Sequence, residues 1–216
     1  MPRRDELAAL GGSVLARLDE ANAARETALA ACRRTIQAAS GAIRAVHRRE
    51  WERADELAAE AGAALRRAQE ALAPYPALAA AGPLHDAAKE YAEARLTAAL
   101  AADRPLPPPD DLGIGEAAWL NGLAEAASEL RRHLLDRLRE GDVTRGEELL
   151  AAMDDVYALL VTVDYPDALT GGLRRTTDAL RAVLERTRGD LTLTLAQRRL
   201  ENALSHANAL LPPTEK

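Results

Sequence analysis

The sequence has 216 residues, 48% of them hydrophobic but none of them Phe, and this Ala- and Leu-rich composition favours helices over sheets. Its single cysteine, Cys32, excludes an internal disulfide and is typical of a reducing compartment. The net charge of −6 argues against a nucleic-acid partner. However, all but two of the 28 cationic residues are arginines, which suit forked phosphate contacts and also accumulate in GC-rich genomes.

No segment of the sequence predicts a signal peptide or a membrane span. The first ten residues, MPRRDELAAL, carry charges from the start, and no run of about 18 apolar residues is free of charged side chains. We therefore expect a soluble, cytoplasmic protein with no membrane partner.

Turn-forming residues divide the chain into about seven predicted helices. Along the first of them, apolar residues from Leu7 to Leu18 recur at intervals of three and four. The predicted helices cover residues 5–47, 51–72, 84–101, 116–139, 147–163, 168–187 and 191–211. A rigid, proline-rich loop at 103–115 separates the third from the fourth, and TRGD at 187–190 is interpreted as a break between the last two. This pattern predicts an all-α, antiparallel bundle in a single domain, 1–216.

The segment REGDVTRGEE at 139–148 predicts a tight turn between two helices. Gly141 suits the left-handed position that often follows a helix, and Thr144 with Glu147 has the spacing of a capping box.

The helix faces are rich in alanine, which allows close approach but buries little area per residue. A bundle so poor in large side chains gains stability from partner subunits, and we therefore expect a homo-oligomer.

Two pairs of acidic residues stand on one face of their predicted helices. Glu90 and Glu93 lie in KEYAEARL, and Glu125 and Glu129 lie in WLNGLAEAASELRR. Small residues flank both pairs, so the two helices could approach closely and bring four carboxylates together. Such a cluster suits Mg²⁺ or Mn²⁺, which prefer oxygen ligands, and an ion of this kind supports phosphodiester hydrolysis.

The same spacing is also typical of a solvated helix surface. The chain has 34 acidic residues, so same-face pairs arise without any function. A carboxylate-bridged di-iron site would require Glu-x-x-His, whereas ELRRH places three residues between Glu129 and His133. The residues alone leave a metal site and an ordinary surface both open.

A basic stripe about 100° wide runs along the first predicted helix and contains Arg33, Arg44, His47 and Arg48. It could follow a phosphate backbone, or it could be a solvated face paired with acids of a neighbouring helix. No aromatic residues are interleaved to stack bases, which argues against sequence-specific recognition. His47 could act as a general base or serve only a structural role.

The chain resembles the translin superfamily over residues 14 to 211. KEYAEARL is similar to the glutamate-bearing segment of the branch typified by translin-associated factor X, and WLNGLAEAASELRR is similar to the acidic segment that follows it. The EGDV turn, the YPDALTGGL break and the closing ENAL resemble the same family in the same order.

The resemblance implies a seven-helix fold that assembles into a hollow, roughly octameric barrel, and a Mg²⁺-dependent endoribonuclease that acts on single-stranded RNA. It implies that Glu90, Glu93, Glu125 and Glu129 are the catalytic, metal-binding acids. Three features depart from the family: Glu125 replaces an aspartate, Ser40 replaces a lysine, and a long insertion after the glutamate helix is missing. The compact chain suits an archaeal or bacterial homologue that forms a homo-octamer.

Three functions follow from these observations. The first is a metal-dependent endoribonuclease with Mg²⁺ or Mn²⁺ at the four glutamates and with single-stranded RNA, or alternatively DNA, held by arginines. The second is an oligomer that binds single-stranded nucleic acid without cutting it. The third is a helical scaffold that binds no nucleic acid. The distance between the Glu90 and Glu125 carboxylates separates these functions, because two groups more than about 10 Å apart cannot share one ion.

Overall fold

The computed structural model of the protein describes residues 3–80 and 82–209, and these residues form an all-helical structure. Six helices are long and three span a single turn. The nine helices within the described ranges are α1 (Arg4–His47), α2 (Trp51–Leu72), α3 (Pro76–Ala79), α4 (Gly82–Ala101), α5 (Pro109–Leu112), α6 (Glu116–Arg139), α7 (Val143–Leu160), α8 (Asp167–Thr170) and α9 (Leu173–Ala209).

The all-α class is confirmed, and the bounds of α2 and α6 agree with the sequence-based prediction. The proline-rich loop at 103–115 is also observed, with the one-turn helix α5 inside it. The loop is fastened to α6, because the indole Nε1 of Trp119 donates a hydrogen bond of 2.9 Å to the carbonyl oxygen of Pro107. The loop therefore has a defined path between α4 and α6.

The predicted break at TRGD is wrong, because α9 runs through it without interruption. Side chains of this segment contact other helices instead. Arg131 of α6 donates to Thr187 Oγ1 at 3.2 Å and to Asp190 Oδ2 at 2.8 Å. Arg188 also donates to Asp154 Oδ1 of α7 at 2.7 Å. A glycine inside a helix costs only about 1 kcal/mol, so packing against α6 and α7 is sufficient to keep the helix continuous.

The turn between α6 and α7 differs in detail from its prediction. Gly141 adopts the predicted left-handed conformation, with φ of 82°. The N-cap of α7 is Asp142 rather than Thr144, and its Oδ1 accepts a hydrogen bond of 3.1 Å from the backbone N–H of Arg145. The negative charge of Asp142 is also stabilised by the positive N-terminal end of the helix dipole. Helix α7 therefore begins at the next residue, Val143.

Alanine and leucine share the core that holds these helices together. The C-terminal half of α1 packs against α2 and α4, α4 packs against α6, and α6 packs against α7 and α9. Fully buried alanines lie where helices approach closely, whereas leucines such as Leu65, Leu96 and Leu130 fill the wider spaces. No helix in the described ranges combines the length and the apolar character that crossing a membrane requires.

Both ends of the described chain extend beyond this core. The first buried residue of α1 is Ala28, so roughly half of this helix lacks a packing partner within the chain. In its N-terminal half, the leucines at positions 7, 10, 15 and 18 are each 58–64% exposed to solvent, and they form the predicted apolar stripe. The C-terminal part of α9 likewise exposes Leu193, Leu200 and Leu204 by 55–60%. These apolar faces are available to another molecule.

Candidate metal centre

Helices α4 and α6 approach each other closely at Gly122. A Cβ atom at this position would lie 2.6 Å from Cβ of Ala92 and 2.9 Å from the carbonyl oxygen of Lys89. Ala92 and Ala124 are also fully buried at this contact. The expectation that small residues let these helices approach is therefore met, and the absence of a side chain at Gly122 permits this close contact.

Three of the four predicted glutamates converge at this contact. Glu90 and Glu93 of α4 and Glu125 of α6 each offer a carboxylate oxygen, and these oxygens lie within 4.8 Å of one another. Oxygens on opposite sides of a Mg²⁺ ion are separated by about 4.2 Å, twice the usual ligand distance. A small inward movement would thus let the three carboxylates bind one ion. Their separation is well below the limit of about 10 Å that would have excluded a shared ion.

Burial and mutual repulsion perturb two of these carboxyl groups. Desolvation, followed by the negative charges of Glu125, Glu90 and Glu129, raises the pKa of Glu93 to about 8. Desolvation also raises the pKa of Glu90, although the charge of Lys89 opposes this effect. Because neighbouring carboxylates contribute to both shifts, a cation placed between the ionised groups would relieve their mutual repulsion. The donor set of partly buried carboxylate oxygens therefore fits a hard divalent ion.

A lysine ammonium lies at the same cluster. Lys89 Nζ donates a hydrogen bond of 2.8 Å to Glu125 Oε1, and it is 3.8 Å from Glu90 Oε1. Burial tends to lower the pKa of Lys89, but the hydrogen bond and charge of Glu125, with the charges of Glu90 and Glu93, outweigh burial and raise it. Sequence reasoning missed this contact, although Lys89 precedes Glu90 directly and is one of only two lysines in the chain.

Glu129 lies outside the group of three oxygens and contacts the first helix instead. Its Oε2 is 2.6 Å from Nε2 of His47, whose side chain is only 4% exposed. The other ring nitrogen, Nδ1, is buried and has no hydrogen-bond partner among the described residues. His47 is thus separated from the basic stripe in which it was predicted, and it positions a carboxylate one helical turn from Glu125.

The predicted arginines lie on the surface of α1. Arg33 is exposed, and Arg44 Nη1 donates a hydrogen bond of 2.6 Å to Ser40 Oγ on the same helix. Arg48 makes a bidentate contact with Glu50, through hydrogen bonds of 2.8 and 3.0 Å.

A groove between α1 and α2 is lined by two of these arginines and by two further arginines. Arg44 and Arg48 line it together with Arg34 and Arg53, which the analysis of spacing had missed. Arg34 forms an ion pair with Glu60 of α2. Part of this surface is therefore paired with acidic residues, which was the alternative interpretation of the basic stripe.

Comparison with known proteins identifies relatives of this chain. No protein-family model matches the chain. An uncharacterized protein of Methanocaldococcus jannaschii is 30% identical over 124 residues, which are 57% of this chain. The matched region covers 55% of that curated relative, so the chain spans about half of its length.

Solved structures match over much more of the chain. The structure of AfC3PO superposes with a TM-score of 0.79 and 31% identity, over 87% of this chain and 97% of that one. AfC3PO in complex with duplex RNA gives a TM-score of 0.78 at the same identity and coverage. Apo-NeC3PO, at 18% identity, shares the fold with a TM-score of 0.74 over 90% of this chain and 98% of that one.

These matches define an all-helical class of protein. The chain belongs to the translin superfamily, the family of the C3PO proteins, which confirms the family predicted from its motifs.

Proposed function

We propose that the protein is a metal-dependent endoribonuclease that cleaves single-stranded RNA at the acidic cluster. Glu90, Glu93 and Glu125 hold Mg²⁺ or Mn²⁺, and Glu129 completes the four-glutamate site from the adjacent turn of α6. The observation that carries the proposal is the convergence of three carboxylate oxygens within 4.8 Å at a contact between two helices. A divalent ion bound there supplies an activated water and stabilises negative charge on the phosphoryl oxygens.

The residues around the ion have separate tasks in this proposal. The close contact at Gly122 places Glu125 opposite Glu93, so that both carboxylates reach one ion without a large rearrangement. The buried His47 ring holds Glu129 at 2.6 Å and limits its rotation. Together these contacts pre-organise the carboxylates, which reduces the cost of ordering them when substrate binds.

Single-stranded RNA is the proposed substrate, with single-stranded DNA as a second candidate. The match to AfC3PO, which has been solved with duplex RNA, supports a nucleic-acid partner for this chain. Arg33, Arg44 and Arg48 are exposed cations that can neutralise backbone phosphates, whereas the buried His47 contacts Glu129 and is left out of this surface. Such contacts are independent of base identity and depend strongly on salt.

We further propose that the chain, 1–216, folds as a single domain and assembles in the cytoplasm into a homo-oligomer, expected to be an octamer. One continuous cluster of buried residues from α1 to α9 supports the single domain. The exposed leucines of the N-terminal half of α1 and of the C-terminal part of α9 supply apolar faces for subunit contacts. Burying a leucine side chain contributes about 2 kcal/mol, so several such residues suffice for association.

The second candidate is a homo-oligomer that binds single-stranded nucleic acid without cleavage. The observation that favours it is the ion pair between Lys89 and Glu125, which neutralises part of the cluster without any metal. Under this alternative the acidic cluster is structural, and nucleic acid binds equally well with and without divalent ions.

RNA cleavage distinguishes the two candidates. A labelled single-stranded RNA is incubated with wild type, Glu90→Gln, Glu125→Gln and the control Glu185→Gln, each with Mg²⁺, Mn²⁺ or EDTA. Glu185 undergoes the same chemical change on the exposed surface of α9. The proposal predicts cleavage by wild type and by the control only, and none in EDTA. Binding without cleavage by all four proteins in both metals would support the non-catalytic oligomer instead.

A further inference from the structure

Lys89 holds a place in the acidic cluster that a bound cation would also use. Its ammonium is 2.8 Å from Glu125 Oε1 and 3.8 Å from Glu90 Oε1, so it contacts two of the three carboxylates that converge there. The side chain is 23% exposed. The cluster therefore has an internal positive charge on the side where α4 faces α6.

We propose that Lys89 is an internal counter-ion that competes with the divalent ion for the Glu90 and Glu125 carboxylates. This inference rests on the proposed function, because it concerns the ion that the glutamates hold. A carboxylate oxygen that accepts the ammonium hydrogen bond has less capacity for an ion, and two cations at contact distance repel each other strongly. The ion binds when the ammonium of Lys89 leaves Glu125 and turns toward solvent.

The chemistry of lysine suits this exchange better than that of arginine. An ammonium group is a compact, strongly hydrated point charge on a flexible four-carbon stem, whereas a guanidinium binds a carboxylate through a rigid fork. Because Lys89 is partly exposed, its ammonium can regain water when it leaves Glu125. The chain uses arginine for every other cation in its described ranges apart from histidine, which makes a lysine at this position notable.

A purely structural ion pair is the competing explanation, and it predicts a different response to metal. If Lys89 only fastened α4 to α6, its removal would destabilise the metal-free and the metal-bound protein alike and would leave metal affinity unchanged. If Lys89 competes with the ion, its removal destabilises the metal-free protein, raises metal affinity and enlarges the stabilisation that metal provides. The affinity for metal in the absence of RNA therefore separates the two roles.

The experiment measures Mn²⁺ binding to the full chain without RNA, by calorimetry and by electron paramagnetic resonance. The variants are Lys89→Met, which keeps the length of the side chain, and the control Arg95→Met. Arg95 also lies on α4, and none of the ion pairs among the described residues includes it. The control thus removes one positive charge from the same helix without touching the cluster. We expect Lys89→Met to bind Mn²⁺ at least about tenfold more tightly than wild type, and Arg95→Met to change affinity by less than about twofold.

Thermal unfolding with and without Mn²⁺ provides a second measurement, which remains informative if Lys89→Met is less stable than wild type. The inference predicts a lower melting temperature than wild type in EDTA and a larger upward shift on adding Mn²⁺. If wild type and Lys89→Met bind Mn²⁺ with equal affinity, the inference is overturned, whereas the proposed metal site stands. Binding by Lys89→Met alone would support the inference, and the absence of binding by both proteins at millimolar Mn²⁺ would overturn the inference and the proposed metal site together.

Discussion

Replacing Gly122 with alanine tests whether the close contact of α4 and α6 forms the acidic cluster. An alanine Cβ would lie 2.6 Å from Cβ of Ala92, 2.9 Å from the Lys89 carbonyl oxygen and 3.0 Å from the Glu93 backbone nitrogen. Two of these three atoms belong to the backbone of α4, so no side-chain rotation can relieve the overlap. Ordinary carbon–carbon contacts are about 3.5–4.0 Å, and the helices must therefore separate by roughly 1 Å.

The expected cost follows from two opposing effects. Overpacking a well-filled interior costs about 1–3 kcal/mol, whereas replacing glycine by alanine inside a helix gains at most about 1 kcal/mol. We expect Gly122→Ala to lower the free energy of unfolding by about 1–2 kcal/mol. The displacement of about 1 Å also moves Glu125 away from Glu90 and Glu93, so the affinity for Mn²⁺ should fall by about tenfold or more.

Gly189→Ala is a matched control, because Gly189 is also inside a long helix but has no atom within 4 Å of the added Cβ. This change should raise the free energy of unfolding by up to about 1 kcal/mol and leave metal affinity unchanged. Urea unfolding and Mn²⁺ titration of both variants provide the measurement. A Gly122→Ala protein that is as stable as Gly189→Ala and binds Mn²⁺ like wild type would refute the role of the close contact.

Three further predictions concern charge. Because the pKa of Glu93 is about 8 in the folded chain and 4.5 when unperturbed, the folded state binds more protons between these values. The free energy of unfolding of the metal-free protein should therefore fall as the pH rises from about 5 to 8, and urea unfolding of Glu93→Gln should show a weaker dependence on pH. Arg131→Met removes the contacts to Thr187 and Asp190, so it should lower the free energy of unfolding by about 1 kcal/mol, measured by urea unfolding. An unchanged free energy of unfolding would argue against a role for these two contacts in keeping α9 continuous. Removing Arg44 should reduce the slope of log binding constant against log salt by about 0.7 for single-stranded RNA, and an unchanged slope would exclude this arginine from the interface.

Local patterns in the sequence were sufficient to predict most of the helices. Pro74 follows the end of α2 and Gly115 precedes the start of α6, and the helical periodicity of Leu7 to Leu18 continues into the core-facing half of α1. The break at TRGD was predicted wrongly because its compensation comes from Arg131 and Asp154, which lie more than 30 residues away in the chain. A local pattern cannot reveal such distant partners.

The candidate site was only partly predictable for the same reason. Helical spacing correctly indicated that Glu90 and Glu93 share a face, and small residues indicated a close approach of two helices. The contact between Lys89 and Glu125, and the one between His47 and Glu129, depend on the relative rotation of helices. The close packing of α6 against α4 involves Gly122, whose importance the sequence pattern did not indicate.

A crystal structure of the protein soaked with Mn²⁺, with anomalous scattering data, tests the proposed metal site most directly. We predict an anomalous peak between α4 and α6, about 2.2 Å from carboxylate oxygens of Glu90, Glu93 and Glu125. The Lys89 ammonium should no longer be within hydrogen-bond distance of Glu125. A fully occupied Mn²⁺ ion elsewhere, with Lys89 still 2.8 Å from Glu125, would contradict both the metal site and the role of Lys89.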